Sequence, residues 1–268
     1  MSQSVLSVLP YLDDQIHVGT DTDTLAQRYR SAQPYHHLVM DNFFSDDLLD
    51  GAVSEISALP DEAWVKHEDE RLIKYNLRSA TELREAGNRL MQLVHSAAFL
   101  FMLTEITGIR GLLPDPYLGG SGYHVIPKGG RFDVHLDRNT EFHSGLTRRL
   151  AMLIYLNHDW DPKFGGQFEM WDRDAQHCEK VVEPVFNRTL LFEIGPEAFH
   201  GVRPVTCPRG QSRKSFAVYY HTVGTEAIVP HNSIFSPKTY ASKVTHLQRI
   251  SREILPPILW RGVNAFRK

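Results

Sequence analysis

Three observations on this chain of 268 residues predict an α+β fold with an antiparallel double-sheet or jelly-roll core. Between Tyr123 and Thr222 lie six runs of strand type, YHVIP, FDVHLD, RRLAMLIYLN, QFEMW, TLLFEI and SFAVYYHT. Turn clusters such as PKGG, DPKFGG and CPRGQ separate them, with no helical pattern in between, so consecutive strands join by turns rather than by crossover helices. Helical periodicity is confined to the flanks, which predicts supporting N-terminal helices and a C-terminal helix around the core.

The elements follow in chain order. Residues 1–34 read as a weakly packed lead-in, and 35–115 as a helical support region on the core. Residues 116–225 form the jelly roll itself, and 226–268 a C-terminal helical extension. Within the support region HHLVMDNFF reads as a strand, after which Ser45 caps a helix. Leu48, Leu49, Ala52, Val53 and Ile56 line one face of that helix, and Pro60 ends it. A second helical region begins at Ser79 and Glu82, which have capping-box spacing, and runs to Gly108. In the extension Ser236 caps, Pro237 takes the first helical position, and Val244, Leu247, Ile250 and Ile254 form an apolar stripe. Lys238, Lys243, Arg249 and Arg252 lie mostly off that stripe, as on a solvated face.

At 42% hydrophobic and 23% charged residues the chain has the balance of a globular protein that buries a sizeable core. A net charge of −3 gives no general attraction to nucleic acid or anionic membranes. The N-terminus has no basic residue ahead of its short apolar run, which is not the pattern of a secretory signal, and no stretch reaches the length of a membrane span. Cys178 and Cys207 stand far apart, so neither a disulfide framework nor a zinc cluster is indicated and a cytoplasmic setting is expected. The oligomeric state has no signal in the sequence.

The chemistry centres on RFDVHLDRNTEFH. On a strand His135 and Asp137 point to one face while Leu136 points to the other, so their donor atoms can meet. Alternating polar residues also mark the wet face of an antiparallel sheet, and the pair alone does not separate the two readings. A facial triad for non-heme iron needs two histidines and one carboxylate. Of the fourteen histidines His200 is the best third ligand, because it follows the apolar run TLLFEI and a short turn; His221 also ends a strand, but nothing basic follows it. Arg213 and Ser215 share one face of the last strand with Ala217 and Tyr219, and the two could grip a carboxylate. The competing reading makes Arg209, Arg213 and Lys214 a basic turn.

The ordered runs GGRFDVHLD, RRLAMLIYLNHDWDPKFGGQFEMWD, PVFNRTLLFEI and FHGVRPVTCPRGQSRKSFAVYYHT resemble the prolyl 4-hydroxylase-like branch of the iron(II)/2-oxoglutarate dioxygenases. The resemblance covers about a hundred residues strongly and extends loosely into PYHHLVMDNFFSDDLL. It implies a double-stranded β-helix in which His135, Asp137 and His200 bind Fe(II) and Arg213 pairs with the distal carboxylate of 2-oxoglutarate, O2 being the second cosubstrate. Tyr155 matches a tyrosine that reaches the same cosubstrate in relatives, or is an aromatic core residue; His124 matches a pocket-lining position or is a structural histidine. Gly165 and Gly166 match the family turn, and Asn187 and Arg188 a turn leading toward His200. Arg138 departs from the aromatic residue common at that place, so the pocket mouth is expected to be more polar. Asp137 is retained where related halogenases carry a small residue, which favours hydroxylation.

The implied function is hydroxylation of an unactivated C–H bond with succinate and CO2 as coproducts. No catalytic group is expected beyond the metal ligands. The substrate is expected to be a small molecule such as an amino acid, because the chain shows no peptide-docking module. A peptidyl prolyl hydroxylase, a desaturase or cyclase of the same type, and a non-catalytic metal-binding sensor are the alternatives. Segment 138–149 reads either as a lid over substrate or as an ordinary connection, and Arg138, Asn139, Glu141 and Arg148 on it are the candidate substrate residues.

Overall fold

The computed structural model of the chain describes residues 15–17, 21–115, 117–224, 229–237 and 240. The predicted C-terminal helix, with its stripe from Val244 to Ile254, lies outside the described residues.

Helix α1 (Thr22–Ser31) falls within the segment expected to be weakly packed. It is instead anchored: Asp21 accepts from Thr24 N at 2.9 Å as its cap, and Leu25, Ala26 and Tyr29 are buried in the core. Strand β1 (His37–Asp41) and helix α2 (Asp46–Ala58) follow as expected. Ser45 holds the N-cap position, yet its side chain makes no cap bond. Two acidic residues, Asp46 and Asp47, complement the positive end of the helix. The helix stops before Pro60, whose ring disfavours helical geometry at Leu59.

The support region is not purely helical. Strands β2 (Trp64–Glu68) and β3 (Leu72–Leu77) form an antiparallel hairpin, and β3 lies deep in the sheet. WVKHE has no clean apolar face, whereas LIKYNL alternates, with Ile73, Tyr75 and Leu77 on one side and Lys74 and Asn76 on the other, a short strand signal inside a region read as helical. The helix expected from Ser79 to Gly108 is also divided. Helices α3 (Glu85–Val94) and α4 (Ala97–Thr107) are bent by 50° at a break where Ser96 caps α4, accepting from Phe99 N at 3.2 Å. The start of α3 is capped from a distance, since the buried carboxylate of Glu55 on α2 accepts from Arg84 N at 2.6 Å and from Gly87 N at 3.0 Å. Gly87 is required there: a Cβ would lie 2.7–2.8 Å from Leu83, Glu55 and Tyr123. No single described helix is long and apolar enough to cross a membrane, and the bent pair buries Leu90, Val94, Phe99, Met102 and Ile106 in the protein's own core.

After β4 (Leu113–Pro114) come the six predicted strands, β5 (Gly122–Pro127), β6 (Arg131–Leu136), β7 (Thr147–Tyr155), β8 (Phe168–Trp171), β10 (Arg188–Glu193) and β12 (Ser212–Thr222), with two that were not among the predicted runs, β9 (Cys178–Val182) and β11 (His200–Val202). A short β13 (Ile234–Phe235) returns to β6. All pairings are antiparallel, and the order β1-β10-β7-β12-β5-β3-β6-β11-β8-β9 curls into the expected jelly roll of double-stranded β-helix type. The run RRLAMLIYLN is apolar throughout because β7 is covered on both sides. Leu150, Met152 and Ile154 pack in the cluster that holds the helices, while Ala151 and Tyr155 pack in the second cluster with Phe168, Met170, Leu190 and Phe192.

Asn187 ties the sheet to α2. It sits at φ 56° and bonds to Phe44 N at 3.0 Å, to Phe44 O at 2.7 Å and to Asp46 Oδ1 at 2.6 Å. Losing these buried bonds and the tolerance of asparagine for left-handed backbone is expected to destabilise Asn187→Ala by about 3 kcal/mol. Asn187→Gly, which keeps the backbone freedom, is expected to lose less, as measured by chemical denaturation.

Candidate active site

The pairing of β6 with β11 sets His200 directly opposite His135, and Asp137 stands one residue beyond the end of β6. Ligand atoms of the three side chains all lie within 4.8 Å of one another, the only such group of three or more His, Cys, Asp or Glu among the described residues. His135 Nε2 is 3.3 Å from Asp137 Oδ1, and His200 Nε2 is 3.8 Å from Asp137 Oδ2. Both imidazoles are oriented alike from behind. His135 Nδ1 lies 2.8 Å from the Asp133 carbonyl and His200 Nδ1 2.8 Å from the Ala198 carbonyl. A carbonyl oxygen only accepts, so each Nδ1 carries a proton and each ring turns its Nε2 toward Asp137. Burial, reinforced by His135, pushes His200 down to about 4. Burial alone would raise Asp137, but the two histidines hold its carboxyl well below the ordinary carboxylate range. The rings are walled by Phe132, stacked 3.7 Å from His135, and Phe168, stacked 5.2 Å from His200.

Arg213, Ser215, Ala217 and Tyr219 share a face of β12, as alternation predicts. Arg213 is buried; its Nε donates to Gly166 O at 2.7 Å, while one terminal nitrogen, Nη2, has no partner. Its guanidinium stands 5.0 Å from the ring centre of Tyr155, whose buried hydroxyl is also unpartnered. Gly165 and Gly166 both hold positive φ, and a Cβ on Gly166 would lie 3.0 Å from the Arg213 side chain. Ser215 is buried in register with Tyr155 and His124. His124 is committed to structure: its Nε2 donates to the Gly120 carbonyl at 2.8 Å, and burial with Lys74 nearby lowers its pKa well below the usual value.

The four candidates from the connection after β6 divide. Asn139 is used internally, bonding to Val229 O and His231 N, and Glu141 accepts from His143 N and Ser144 N to hold its own turn. Arg138 donates to Gly119 O at 3.1 Å and lies 4.9 Å from the Phe142 ring. Arg148, buried, also donates to Gly119 O and lies 4.0 Å from the Tyr219 ring, but its Nε is unpartnered. Lys74 on β3 was not foreseen. It sits 5.2 Å from the Phe132 ring, and burial, partly offset by the charge of Asp137, pushes its pKa down to about 8. No motif marked it, because Lys74 falls on the polar face of LIKYNL, where a lysine reads as an ordinary solvated residue.

Residues 121–221 match the family described as the 2OG-Fe(II) oxygenase superfamily. Over 178 residues the chain is 25% identical to the prolyl 3-hydroxylase OGFOD1 of Mus musculus, a match that takes in 64% of this chain and 30% of that one. The chain thus spans less than a third of the length of this curated relative. Among solved structures, a Pseudomonas putida prolyl-4-hydroxylase superposes with a TM-score of 0.53 at 22% identity, covering 74% of this chain and 99% of that one. A Trichoplax adhaerens prolyl hydroxylase, solved with a peptide fragment of the hypoxia inducible factor oxygen degradation domain, gives 0.53 at 17% identity, covering 75% and 90%. At these identities the two structures establish the likeness of fold. Residues 121–221 thus resemble the 2OG-Fe(II) oxygenase superfamily, and the fold is prolyl 4-hydroxylase-like.

Proposed function

We propose that the chain is an Fe(II)/2-oxoglutarate-dependent hydroxylase that acts on a prolyl residue of a polypeptide, with succinate and CO2 as coproducts. The observation that carries the reaction class is the convergence of His135, Asp137 and His200, with their ligand atoms gathered at one point and the His135 Nε2 buried without a hydrogen-bond partner. Metal–nitrogen and metal–oxygen bonds of about 2.1 Å need donors some 3–4 Å apart, which this group supplies with little adjustment. His135, Asp137 and His200 would hold the iron. Bound iron supplies the activation of O2 coupled to decarboxylation of 2-oxoglutarate.

The remaining work belongs to the protein. The free Nη2 of Arg213 and the free Tyr155 hydroxyl are two donors in one buried corner, which fits the distal carboxylate of 2-oxoglutarate. Phe132 and Phe168 exclude water from the ligand rings. Arg148 Nε, unpartnered beside Tyr219, is a donor for a carbonyl of the substrate. Polypeptide substrate replaces the small molecule expected from sequence because the relative at 25% identity is named a prolyl 3-hydroxylase. It also gives Arg148 an acceptor.

Anaerobic addition of Fe(II) and 2-oxoglutarate to the wild type is expected to give a visible charge-transfer band, which His135→Ala and Asp137→Ala lack. A band retained in both variants rejects the ligand assignment. Arg213→Ala is expected to raise the 2-oxoglutarate concentration needed for half-maximal turnover about 100-fold, the equivalent of ~3 kcal/mol for a lost buried charge-assisted pair. An unchanged requirement would move the role to Lys214 or Arg209. For the substrate, proline-containing peptides, free amino acids and metabolites are screened for stimulated succinate release, with mass analysis of the product. Oxygen added to a prolyl residue is the expected result, and turnover of free amino acids alone rejects the peptide reading.

A further inference from the structure

A second set of buried polar atoms without partners lies at the far end of the strands that hold the cosubstrate corner. Asp115 (2% exposed), Ser121 (8%), Arg148 (3%) and His221 (0%) leave Asp115 Oδ2, Ser121 Oγ, Arg148 Nε and both ring nitrogens of His221 unsatisfied. Each such atom is costly in a dry interior. The same signature, on His135, Arg213 and Tyr155, marks the positions assigned above to metal and 2-oxoglutarate.

The register of β7 with β12 places the two sets apart. Tyr155 lies opposite Ser215 at one end, and Arg148 opposite His221 at the other, past a bulge between Tyr220 and His221, six residues or roughly 20 Å along β12. The second set is therefore distinct from the cosubstrate corner. Gly119 brings its members together: Arg138 and Arg148 both donate to its carbonyl, and a Cβ built on it would lie 3.2 Å from Arg138 Nη2 and 3.6 Å from Asp115 Oδ2 and Glu141 Oε1. Above it Tyr117 and Phe142 expose their rings (57% and 65%), Tyr117 N bonding to Asp115 Oδ1 at 3.0 Å and Phe142 lying under the Arg138 guanidinium.

The chemistry of the ligand follows from charge and hydrogen-bond capacity. Two arginines, Arg138 and Arg148, face two carboxylates, Asp115 and Glu141, so the place is balanced and calls for a neutral group. Burial keeps His221 neutral at physiological pH. Arg148 Nε can only donate, Asp115 Oδ2 can only accept, and Ser121 and His221 do either. A peptide amide is a neutral group with one acceptor and one donor, and it fits this set.

Resting on the peptide reading above, we infer that Asp115, Ser121 and His221 form a subsite for a main-chain amide of the substrate polypeptide next to the target proline, with Asp115 Oδ2 accepting its N–H. Specificity for a chain over a free amino acid then comes from this subsite.

The test uses the proline peptide that releases most succinate, with analogues N-methylated one residue at a time on either side of the proline. Their binding to metal-free full-length protein is measured by calorimetry, so the readout does not depend on turnover. One analogue is expected to bind the wild type about tenfold more weakly than the parent. Asp115→Ala is expected to weaken the parent by a similar factor and to show no further loss with that analogue. Gly119→Ala, whose methyl would stand beside Asp115 Oδ2 without changing any charge, is expected to reproduce the loss should Asp115→Ala not fold. Equal weakening of every peptide by Asp115→Ala and Gly119→Ala would mean a structural role or sealed-in water and overturn the subsite, as would no weakening at all. If the wild type turns over no proline peptide, the peptide reading falls and the subsite with it; turnover without this coupling rejects the subsite alone.

Discussion

The antiparallel register between β6 and β11 is the constraint on which the site depends. A shift of one residue would turn His200 to the other face of the sheet and disperse the donor group. The register is held from several directions. Beyond β11 lies β8, with Met170 opposite His200, and beyond β6 lie β3 and β13. Ser236 N donates to Val134 O at 2.8 Å and Tyr240 N to the buried Asp133 at 3.0 Å, so the returning chain clasps the strand that carries His135. The imidazoles inherit this order, because each donates its Nδ1 proton to a carbonyl two residues back in its own chain.

The helices serve the same end at one remove. They cover the face of β7 and β12 that carries Leu150, Met152, Ile154, Phe216 and Val218, leaving the other face for chemistry. Their own positions rest on a few buried polar contacts: Glu55 joins α2 to the start of α3, and Asn187 joins the start of β10 to α2. Each connects elements far apart in sequence, so each ties local helix formation to the completed sheet.

How far the sequence was legible depended on whether a residue's role follows from its neighbours in the chain. The six core strands were readable because their apolar residues and turns are local signals. Alternation and strand ends made His135, Asp137, His200 and Arg213 candidates and the family resemblance made them the leading reading, and the structure brings the first three together. Strand β3 was passed over although Ile73, Tyr75 and Leu77 alternate in LIKYNL, because the run is short and lies between helical segments, and Lys74 was hidden with it. The break between α3 and α4 was missed because Ser96 inside an apolar run reads as helix until its side chain is seen to cap Phe99 N. Ser79 caps only the short 3-10 turn Ala80–Glu82, its hydroxyl accepting from Thr81 N, while Glu55, thirty residues upstream, takes the role at α3.

The polar residues of the interior sort by partnership, and the sorting separates architecture from chemistry. Asn139, Glu141, His124 and Asn157 have their hydrogen bonds met within the chain, so their burial is accounted for by folding alone. Folding does not satisfy His135 Nε2, Arg213 Nη2, the Tyr155 hydroxyl, Arg148 Nε or Asp115 Oδ2, and these atoms fall at the two ends of one face. Burying such atoms without partners opposes stability, and a bound group would complete them at these two places, whereas Tyr29, His37, Tyr123 and Thr189 leave polar atoms unpartnered elsewhere in the interior. On the proposed function, metal and 2-oxoglutarate would complete one end, where the donors are cationic or phenolic beside the histidines. At the other end two arginines stand beside two carboxylates, so the balance of charge favours a neutral group such as a main-chain amide over a second dicarboxylate.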